Sequence, residues 1–310
     1  YILEFNRSPV VGHNFHLQGI YDEARLGFTR PRSWKINSVK AAIRFQHSPA
    51  LLARRSNLTI RINGTSIGSV PLNLQQSQVG QVLFDIPPSR LGDYNDIAIV
   101  VQQHNTENCD DEDASDPTLW TEILPDSRLV FNYQRAPYRL DFSTYPFPFF
   151  DDLSLDPNQI AFIQPQQLNE SWLTATARYT ASLGRLADYR PLETRLVKTI
   201  DQAKFNERLV LIGTPEEQPI LKSLSLPLRL VNNQFLDGSQ NPLAPDVGAI
   251  ILTTIQRENS RIPLLVVTGN GIEGVTKAVQ FLVQPEDRKI STGRAIFVNQ
   301  ITPIPSPSAR

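Results

Sequence analysis

The sequence is poor in cysteine and histidine. Among its 310 residues there are one cysteine, Cys109, and four histidines. A lone cysteine cannot close an internal disulfide, so the redox compartment cannot be inferred from it. His13 and His16 form an H-x-x-H pair without further ligands at useful spacing, and His47 and His104 are isolated. These residues therefore predict neither a zinc site nor a cysteine-based active site.

The sequence also lacks a charge bias and a long apolar run. The sequence contains 30 Lys and Arg residues and 31 Asp and Glu residues, which gives a formal net charge of −1. This balance gives no basic field and argues against a nucleic-acid partner. The run GAIILTT is among the longest apolar stretches, far below the ~18 residues of a membrane helix. The composition is typical of a globular protein of about two domains.

The first part of the chain alternates apolar and polar residues with period two. The pattern is clear over residues 39–45 (VKAAIRF) and 58–62 (LTIRI), and it predicts strands with one buried face. Asn63 and Gly64 follow the second run and predict a hairpin, because both residues tolerate the positive φ of a type I′ turn. We predict an antiparallel jelly-roll β-sandwich over residues 1–140.

After about residue 155 the pattern becomes that of an α/β domain. Continuous apolar runs such as RLVLIGT and IPLLVVTG are typical of parallel strands. A helix is predicted where apolar residues step by three and four, at Trp172, Thr176, Tyr179, Leu183 and Leu186. The order predicts a mostly parallel, doubly wound sheet over residues 157–301.

Shorter segments mark a helix start and the domain ends. Thr214, Pro215 and Glu217 match a capping box with proline at the first helical position, which predicts a helix. Residues 141–156, rich in proline and aromatic residues, are predicted to link the two domains. Residues 302–310, TPIPSPSAR, are predicted to be a linker toward further sequence.

A glycine motif near the C-terminus raises the possibility of a dinucleotide site. Gly269, Gly271 and Gly274 match G-x-G-x-x-G between a strand and a helix. Such a motif normally opens its domain and is followed by an acidic residue ~20 positions on. Here the following strand reads GRAIFVNQ, and Glu286 and Asp287 fall in a loop. We therefore predict a tight turn into a helix, with a nucleotide-dependent enzyme as the alternative.

Two motifs suggest hydrolytic chemistry but lack its context. GTSIG matches G-x-S-x-G at Gly64, Ser66 and Gly68. A nucleophile elbow needs a strand-to-helix turn, whereas this motif lies in a predicted hairpin. Asp151 and Asp152 are adjacent in the linker and cannot by themselves set the carboxylate spacing of a glycosidase. Neither motif predicts a catalytic site.

The segment CDDEDASDPTLWTE contains a run of acidic residues. Asp111, Asp113, Ser115 and Glu122 fall at positions one, three, five and twelve of a calcium loop. Asp116 replaces the glycine of position six, and no helices are predicted on either side. We therefore predict a solvated acidic loop and no metal site.

Aromatic side chains are the remaining candidates for binding, because their faces stack on sugar rings. Core or interface packing is the alternative for each of them. The candidates for glycan or interface contact are Trp34, Trp120, Tyr145, Phe147, Phe149 and Phe150.

Several segments, in order, resemble the periplasmic regulatory B subunit of bacterial cellulose synthase. They are SPALLARRSNLTIRINGTSIGSVPL, NCDDEDASDPTLWTEILPDSRLVFNY, LDFSTYPFPFFDD and the stretch from NQIAFIQP to AIFVNQI. Together they cover nearly the whole chain. The resemblance implies a carbohydrate-binding jelly roll followed by a flavodoxin-like domain, the first of two such repeats. The acidic loop after Cys109 is longer here than is usual in that family.

The resemblance also implies a function. Such a protein is non-catalytic, needs no cofactor, and lies in the periplasm, anchored to the inner membrane through other segments. It supports the catalytic subunit, which makes cellulose from UDP-glucose, and guides or shields the nascent β-1,4-glucan. The family name invokes cyclic di-GMP, which is generally assigned to the catalytic subunit, and no arginine-rich site for it is visible here. A purely structural protein-interaction module is the second alternative.

Overall fold

The computed structural model describes residues 1–7, 10–11, 15–188, 190–257, 260–284 and 291–300. The chain divides into two compact units, residues 1–137 with 153–155, and residues 138–152 with 156 onward. His13, Glu286, Asp287 and the predicted tail lie outside the described residues. Within the described ranges, no helix has the length and apolar character needed to cross a bilayer.

Two antiparallel sheets form the first unit. Its strands are β1 Ile2–Glu4, β2 Val10–Val11, β3 His16–Gln18, β4 Tyr21–Thr29, β5 Trp34–His47, β6 Asn57–Ile62, β7 Thr65–Pro71, β8 Gly80–Ile86, β9 Tyr94–Gln102, β10 Trp120–Ile123 and β11 Arg128–Arg135. One sheet has the order β1-β11-β5-β10-β3, with β8 also paired to β5. The other has the order β2-β4-β9-β6-β7. Short 3-10 helices cover Phe5–Arg7, Leu74–Gln76, Pro88–Arg90 and Cys109–Asp111.

The facing sides of these two sheets enclose one hydrophobic core. The alternating apolar residues of 39–45 and 58–62 lie in it and are at most 1% exposed. Asn63 and Gly64 have φ angles of 49° and 79° in the turn between β6 and β7, as a type I′ hairpin requires. The predicted antiparallel sandwich and its hairpin are confirmed.

The second unit contains a mixed sheet and two α-helices among its described residues. Its elements are β12 Asn158–Ile163, α1 Glu170–Ala187, β13 Leu192–Val197, β14 Arg208–Ile212, β15 Leu230–Val231, β16 Gln234–Phe235, β17 Gly248–Arg257, β18 Ser260–Gly269, α2 Ile272–Val283 and β19 Ala295–Val298. Short 3-10 helices cover Phe142–Thr144, Ile200–Gln202 and Pro219–Ser223. The Tyr145-Pro146 and Phe147-Pro148 peptide bonds are cis.

The six-stranded sheet of this unit has the order β13-β12-β14-β18-β17-β19. The β12–β13, β12–β14 and β14–β18 pairs are parallel, while β17 runs antiparallel to β18 and β19. Both α-helices pack on one face. The other face is covered by irregular segments and 3-10 turns. The second helical layer that a doubly wound sheet implies is absent from the described residues, and a flavodoxin-like fold stays a prediction.

The predicted helix is α1, and four of the five residues whose spacing predicted it are buried. Trp172 is the first of them, and its indole Nε1 donates to the carbonyl oxygen of Ile212 at 3.0 Å. Leu186 is 36% exposed, because it lies in the last turn at the margin of the buried stripe. The predicted helix is confirmed.

The capping box at Thr214 forms, but the helix predicted after it does not. The Glu217 carboxylate accepts from Thr214 N at 2.9 Å, and Glu217 N donates to Thr214 Oγ1 at 3.3 Å. A 3-10 turn then covers residues 219–223. Pro219 explains the difference, since a proline in a helix interior removes a backbone hydrogen bond and clashes with the preceding turn.

Candidate functional site

Two of the six predicted contact residues belong to the core of the second unit. Phe149 and Phe150 are 1% and 0% exposed, and they pack in the same cluster as Phe142 and Phe162. A ring with no exposed face cannot stack on a ligand, so the prediction was wrong for both residues. The end of the PFPFF run, residues 148–150, is buried in this unit.

Tyr145 and Phe147 are half-buried and are engaged within their own unit. The hydroxyl groups of Tyr145 and Tyr179 are hydrogen-bonded at 2.9 Å. The ring of Phe147 meets that of Tyr138 edge-on, with 6.4 Å between centroids. Tyr138 donates from its hydroxyl group to the carbonyl oxygen of Arg261 at 3.0 Å, and burial raises the pKa of this phenol. Both candidates therefore help to hold the segment against the sheet.

Trp34 lies in an aromatic cluster at the start of β5. Its ring stacks on that of Tyr133, with centroids 3.9 Å apart and an interplanar angle of 13°. The rings of Tyr1 and Phe131 approach it at 5.2 Å and 5.6 Å. One face of this indole is thus covered, and packing is its main role.

Trp120 is the predicted residue that faces outward from the sandwich. Its neighbours in β10, Thr121 and Ile123, are both fully buried. Because side chains alternate along a strand, Trp120 and Glu122 point to the outer face of the sheet. The ring of His16 on β3 lies nearly parallel to the indole, with 6.2 Å between centroids.

Polar side chains surround this indole. Gln18 is the cross-strand partner of Trp120, while Glu122 pairs with His16 on one side and with Gln46 on the other. The Gln46 amide donates to the Glu122 carboxylate. We call His16, Gln18, Gln46, Trp120 and Glu122 the Trp120 patch. It combines one large ring with amide and carboxylate groups that can bond to hydroxyls.

The outer face of the other sheet carries Tyr21, which is 54% exposed and was missed in the sequence analysis. The period-two pattern of β4 places it on the same side as Glu23 and Arg25. Arg25 is ion-paired with Glu23 at 2.6 Å and with Asp96 at 3.0 Å. The hydrogen bond from Arg25 lowers the pKa of Glu23. This face is therefore more charged than the Trp120 patch, and its charges are paired with one another.

The glycine motif serves close packing between α2 and the segment that precedes β17. A Cβ on Gly271 would lie 2.6 Å from the carbonyl oxygen of Pro245, and one on Gly274 would lie 2.8 Å from the carbonyl carbon of Val247. Gly274 N also donates to the Pro245 carbonyl at 3.1 Å. The chain's own backbone thus fills the space beside the glycines. The predicted tight turn into a helix is confirmed.

The GTSIG serine does not stand on a nucleophile elbow. Ser66 lies in β7, directly after the Asn63-Gly64 turn, and its side chain is exposed. Asp151 and Asp152 remain adjacent in the segment that precedes β12.

The acidic loop is held by hydrogen bonds within the first unit. Asp113 accepts from the backbone and hydroxyl of Ser115, and Asp116 accepts from Thr118 and Asn105. These bonds lower the pKa of both carboxyl groups. In the part of the chain that the structure describes, no group of three or more His, Cys, Asp or Glu residues could hold a metal ion.

A second set of contacts in this loop ties it to the rest of the sandwich. Glu112 accepts from Arg55, and its Oε1 lies 2.7 Å from His104 Nδ1. Burial acts to raise the pKa of Glu112, but its bonds with His104 and Arg55 outweigh that effect and lower it. The contact of His104 with Glu112 therefore helps to hold the acidic loop against the sandwich.

The first unit is matched by a family model for a carbohydrate-binding-module domain, described as "Cellulose synthase BcsB, first CBM domain", over residues 3–135. The model described as "Cellulose synthase BcsB, first FD domain" matches residues 141–296. The chain belongs to the cellulose synthase BcsB family.

Curated relatives agree with this assignment. A "Cyclic di-GMP-binding protein" of Xanthomonas axonopodis pv. citri (strain 306) is 26% identical over 59% of this chain and 23% of its own length. A protein of the same name from Escherichia coli (strain K12) is 21% identical over 93% of this chain and 34% of its own length. "Cellulose synthase 2" of Novacetimonas hansenii is 23% identical over 82% of this chain and 14% of its own. The chain thus spans about a third or less of each of these relatives.

The similar solved structures include two carbohydrate-binding modules. A family 35 carbohydrate-binding module from an environmental isolate is 17% identical, with a TM-score of 0.27 over 45% of this chain and 99% of its own. The CBM36-1 domain of a multidomain xylanase from the hindgut metagenome of Trinervitermes trinervoides is 11% identical, with a TM-score of 0.26 over 44% of this chain and 98% of its own.

Proposed function

We propose that this chain is a non-catalytic part of a bacterial cellulose synthase complex that guides or shields the nascent β-1,4-glucan. The observation that carries the proposal is the match of both units, in order, to the two BcsB domain models. Its partners would be the glucan and the catalytic subunit. It would lie in the periplasm, with the full-length protein anchored to the inner membrane.

We further assign the two units to the domains expected from the sequence. Residues 1–140 would be the carbohydrate-binding-like jelly roll. Residues 141–156 would link it to the next domain, with Phe142, Phe149 and Phe150 of this linker packed in the core of the second unit. Residues 157–301 would be a flavodoxin-like domain, with residues 302–310 leading to the next repeat. The parallel core β13-β12-β14-β18 supports this assignment for the second unit.

The Trp120 patch is the surface proposed to contact the glucan. The indole offers a face to the C–H side of a glucose ring, and the neighbouring Gln18, Gln46 and Glu122 offer partners to its hydroxyl groups. Binding of a neutral polymer requires no strong electrostatic field from the protein, which agrees with the formal net charge of −1 of the chain. No acid–base group is required for this role.

Weak contacts suit a polymer that must slide. A processive chain would stall on a surface that held it tightly, so we expect dissociation constants of about 1 mM, or ~4 kcal/mol of binding free energy. The nucleotide-dependent alternative is less well supported, because the backbone of Pro245 and Val247 fills the space beside Gly271 and Gly274.

Affinity electrophoresis in gels containing hydroxyethylcellulose tests this function. The wild-type chain should be retarded, and Trp120→Ala should be retarded less because one stacking contact is worth about 0.5–1.5 kcal/mol. Tyr21→Ala is the matched control, since it removes an exposed ring from the other outer face. Equal mobility of wild-type and Trp120→Ala at every polymer concentration would favour a purely structural interaction module.

A further inference from the structure

A cavity of about 360 Å³ lies in the second unit, beside the ends of three parallel strands. Its walls come from residues 163–166 after β12, from Lys198 after β13, and from residues 218–220 after β14. Because these strands are parallel, their carboxyl ends meet at the same edge of the sheet. Its size is within the range of small-molecule sites.

The strand order of the sheet places this cavity at a position where ligands commonly bind. From β12 the chain crosses to β13 on one side, and the next strand, β14, lies on the other side of β12. This reversal is a topological switch point, and in open α/β sheets ligands bind in the crevice outside the strand ends at such a point. The cavity therefore lies where this kind of sheet places its ligands.

The lining is amide-rich and contains two prolines. Gln218 is 1% exposed, and its amide nitrogen donates to the carbonyl oxygens of Ile163 and Ile212 at 3.1 Å and 3.0 Å. Gln164 and Gln166, in the loop after β12, line the cavity together with Pro219, which follows β14. Amides both donate and accept hydrogen bonds, as hydroxyl groups do. Lys198 adds the one charged side chain of the lining.

The loops around the cavity already hold an anion of their own. The Glu217 carboxylate accepts from Asn169 Nδ2 at 2.7 Å and from Thr214 N at 2.9 Å. Asn169 caps α1, so this carboxylate lies near the helix N-terminus, where a nucleotide phosphate binds in other folds of this type. A second negative group there would be repelled. The N-terminus of α1 is therefore not expected to hold a phosphate group of a ligand.

We propose that this switch-point cavity binds a single glucose unit of a β-1,4-glucan. The inference rests on the proposed function for the identity of the sugar, and on the cavity itself for the class of ligand. The exposed Gln166 and Lys198 would bond to the hydroxyl groups, while the exposed Pro219 would contact a C–H face. The second unit would thus hold the glucan at a site separate from the Trp120 patch.

The test is an NMR titration of the full chain with cellotetraose and, separately, with D-glucose. Both should shift the backbone amide signals of Ile163, Gln164, Gln166, Gln218 and Ile220, since one unit fills the cavity. Gln166→Ala and Lys198→Ala should each weaken this binding about three- to tenfold, as expected for one lost hydrogen bond. Both side chains are exposed, so neither change threatens folding. Lys222→Ala, an exposed lysine outside the lining, should leave the binding unchanged.

The remaining outcomes separate the two proposals. Shifts confined to the Trp120 patch would overturn the cavity proposal and leave the proposed function standing. Shifts confined to the cavity, weakened in both lining variants, would support the cavity and contradict the role of Trp120. Tighter binding of inorganic phosphate or of a nucleotide in the cavity would overturn the inference that the ligand is neutral. No shift with either sugar would overturn both proposals.

Discussion

Arg195 balances a buried negative charge in the second unit. Its guanidinium Nη2 donates to Glu207 Oε2 at 2.8 Å, and its Nε donates to the other carboxylate oxygen. Glu207 also accepts from Lys204 N at 2.6 Å, and its side chain is 5% exposed. Burial acts to raise the pKa of Glu207, but these hydrogen bonds outweigh it and lower the pKa below its ordinary value.

Removing the guanidinium should be costly because it leaves the carboxylate buried without its partner. We expect Arg195→Ala to lower the free energy of unfolding by about 3 kcal/mol, at the lower end of the range for buried pairs, since Arg195 is partly exposed. Urea unfolding measures the change. The double variant Arg195→Met with Glu207→Leu should recover most of the loss, and a double variant as unstable as the single one would contradict this account.

The same pair sets a pH dependence. Because the folded-state pKa of Glu207 is lowered, its contribution to stability is complete above the unfolded-state value of ~4.3 and is lost as the pH falls through the folded-state pKa. Glu207→Gln should therefore flatten the acid limb of the stability curve. Urea midpoints measured between about pH 2 and pH 6 test this, and an unchanged acid limb would contradict it.

At the scale of single residues, the sequence separates aromatic contacts from core only in part. Trp120 could be placed outward, because its alternation with the buried Thr121 and Ile123 follows period two. Phe149 and Phe150 lie in an irregular segment with no period, so nothing in the pattern indicated that they are buried. Tyr21 could have been found from the alternation of Ala24, Leu26 and Phe28.

The pairing of α2 with the segment before β17 depends on the absence of a side chain at Gly274. Adding a methyl group there would force the helix away from the Val247 carbonyl. We expect Gly274→Ala to destabilise the chain by about 1–3 kcal/mol through overpacking, measured by thermal or urea unfolding.

Gly184 provides the matched control. It lies within α1, and an added Cβ would meet nothing within 4 Å. Gly184→Ala should therefore stabilise the chain by about 1 kcal/mol, the difference in helix propensity. If both substitutions changed stability in the same direction, the close-packing role of the motif would be contradicted.

At the scale of elements, regular hydrophobic periods predicted strands and helices correctly, whereas the capping box at Thr214 did not predict a helix correctly. The strands of the sandwich and α1 followed from periods of 2 and 3.6. The Thr214 capping box is a local signal that formed its own hydrogen bonds without extending a helix, because Pro219 follows too soon. The 3-10 turns and irregular segments over the second sheet face have no period, so their presence could not be predicted.

At the scale of the whole molecule, near-neutral charge has a consequence for binding. A glucan carries no charge, so its affinity for the chain should not change between about 0.05 and 0.5 M NaCl, where exposed charges become screened. Affinity electrophoresis at several salt concentrations measures this. A steep loss of retardation with salt would indicate an anionic partner and contradict the proposal.

The order of the two units followed from a change in hydrophobic period near residue 155, and the family models match the chain in that same order. The switch-point cavity did not follow from the sequence, because it depends on which neighbours β12 has in the sheet. Strand order is a long-range property that alternation and caps do not encode. The glutamine residues that line the cavity follow the ends of different strands, and they come together only because of the strand order.

We propose that the chain binds a β-1,4-glucan through surface contacts and catalyses no reaction on it. The most direct measurement follows the indole N–H signals of its three tryptophans during a titration with cellohexaose, with maltohexaose as the control. The account predicts that the Trp120 signal moves with a dissociation constant of about 1 mM, and that the buried Trp172 signal does not. A Trp120 signal that stays still throughout, or moves equally with maltohexaose, would contradict it.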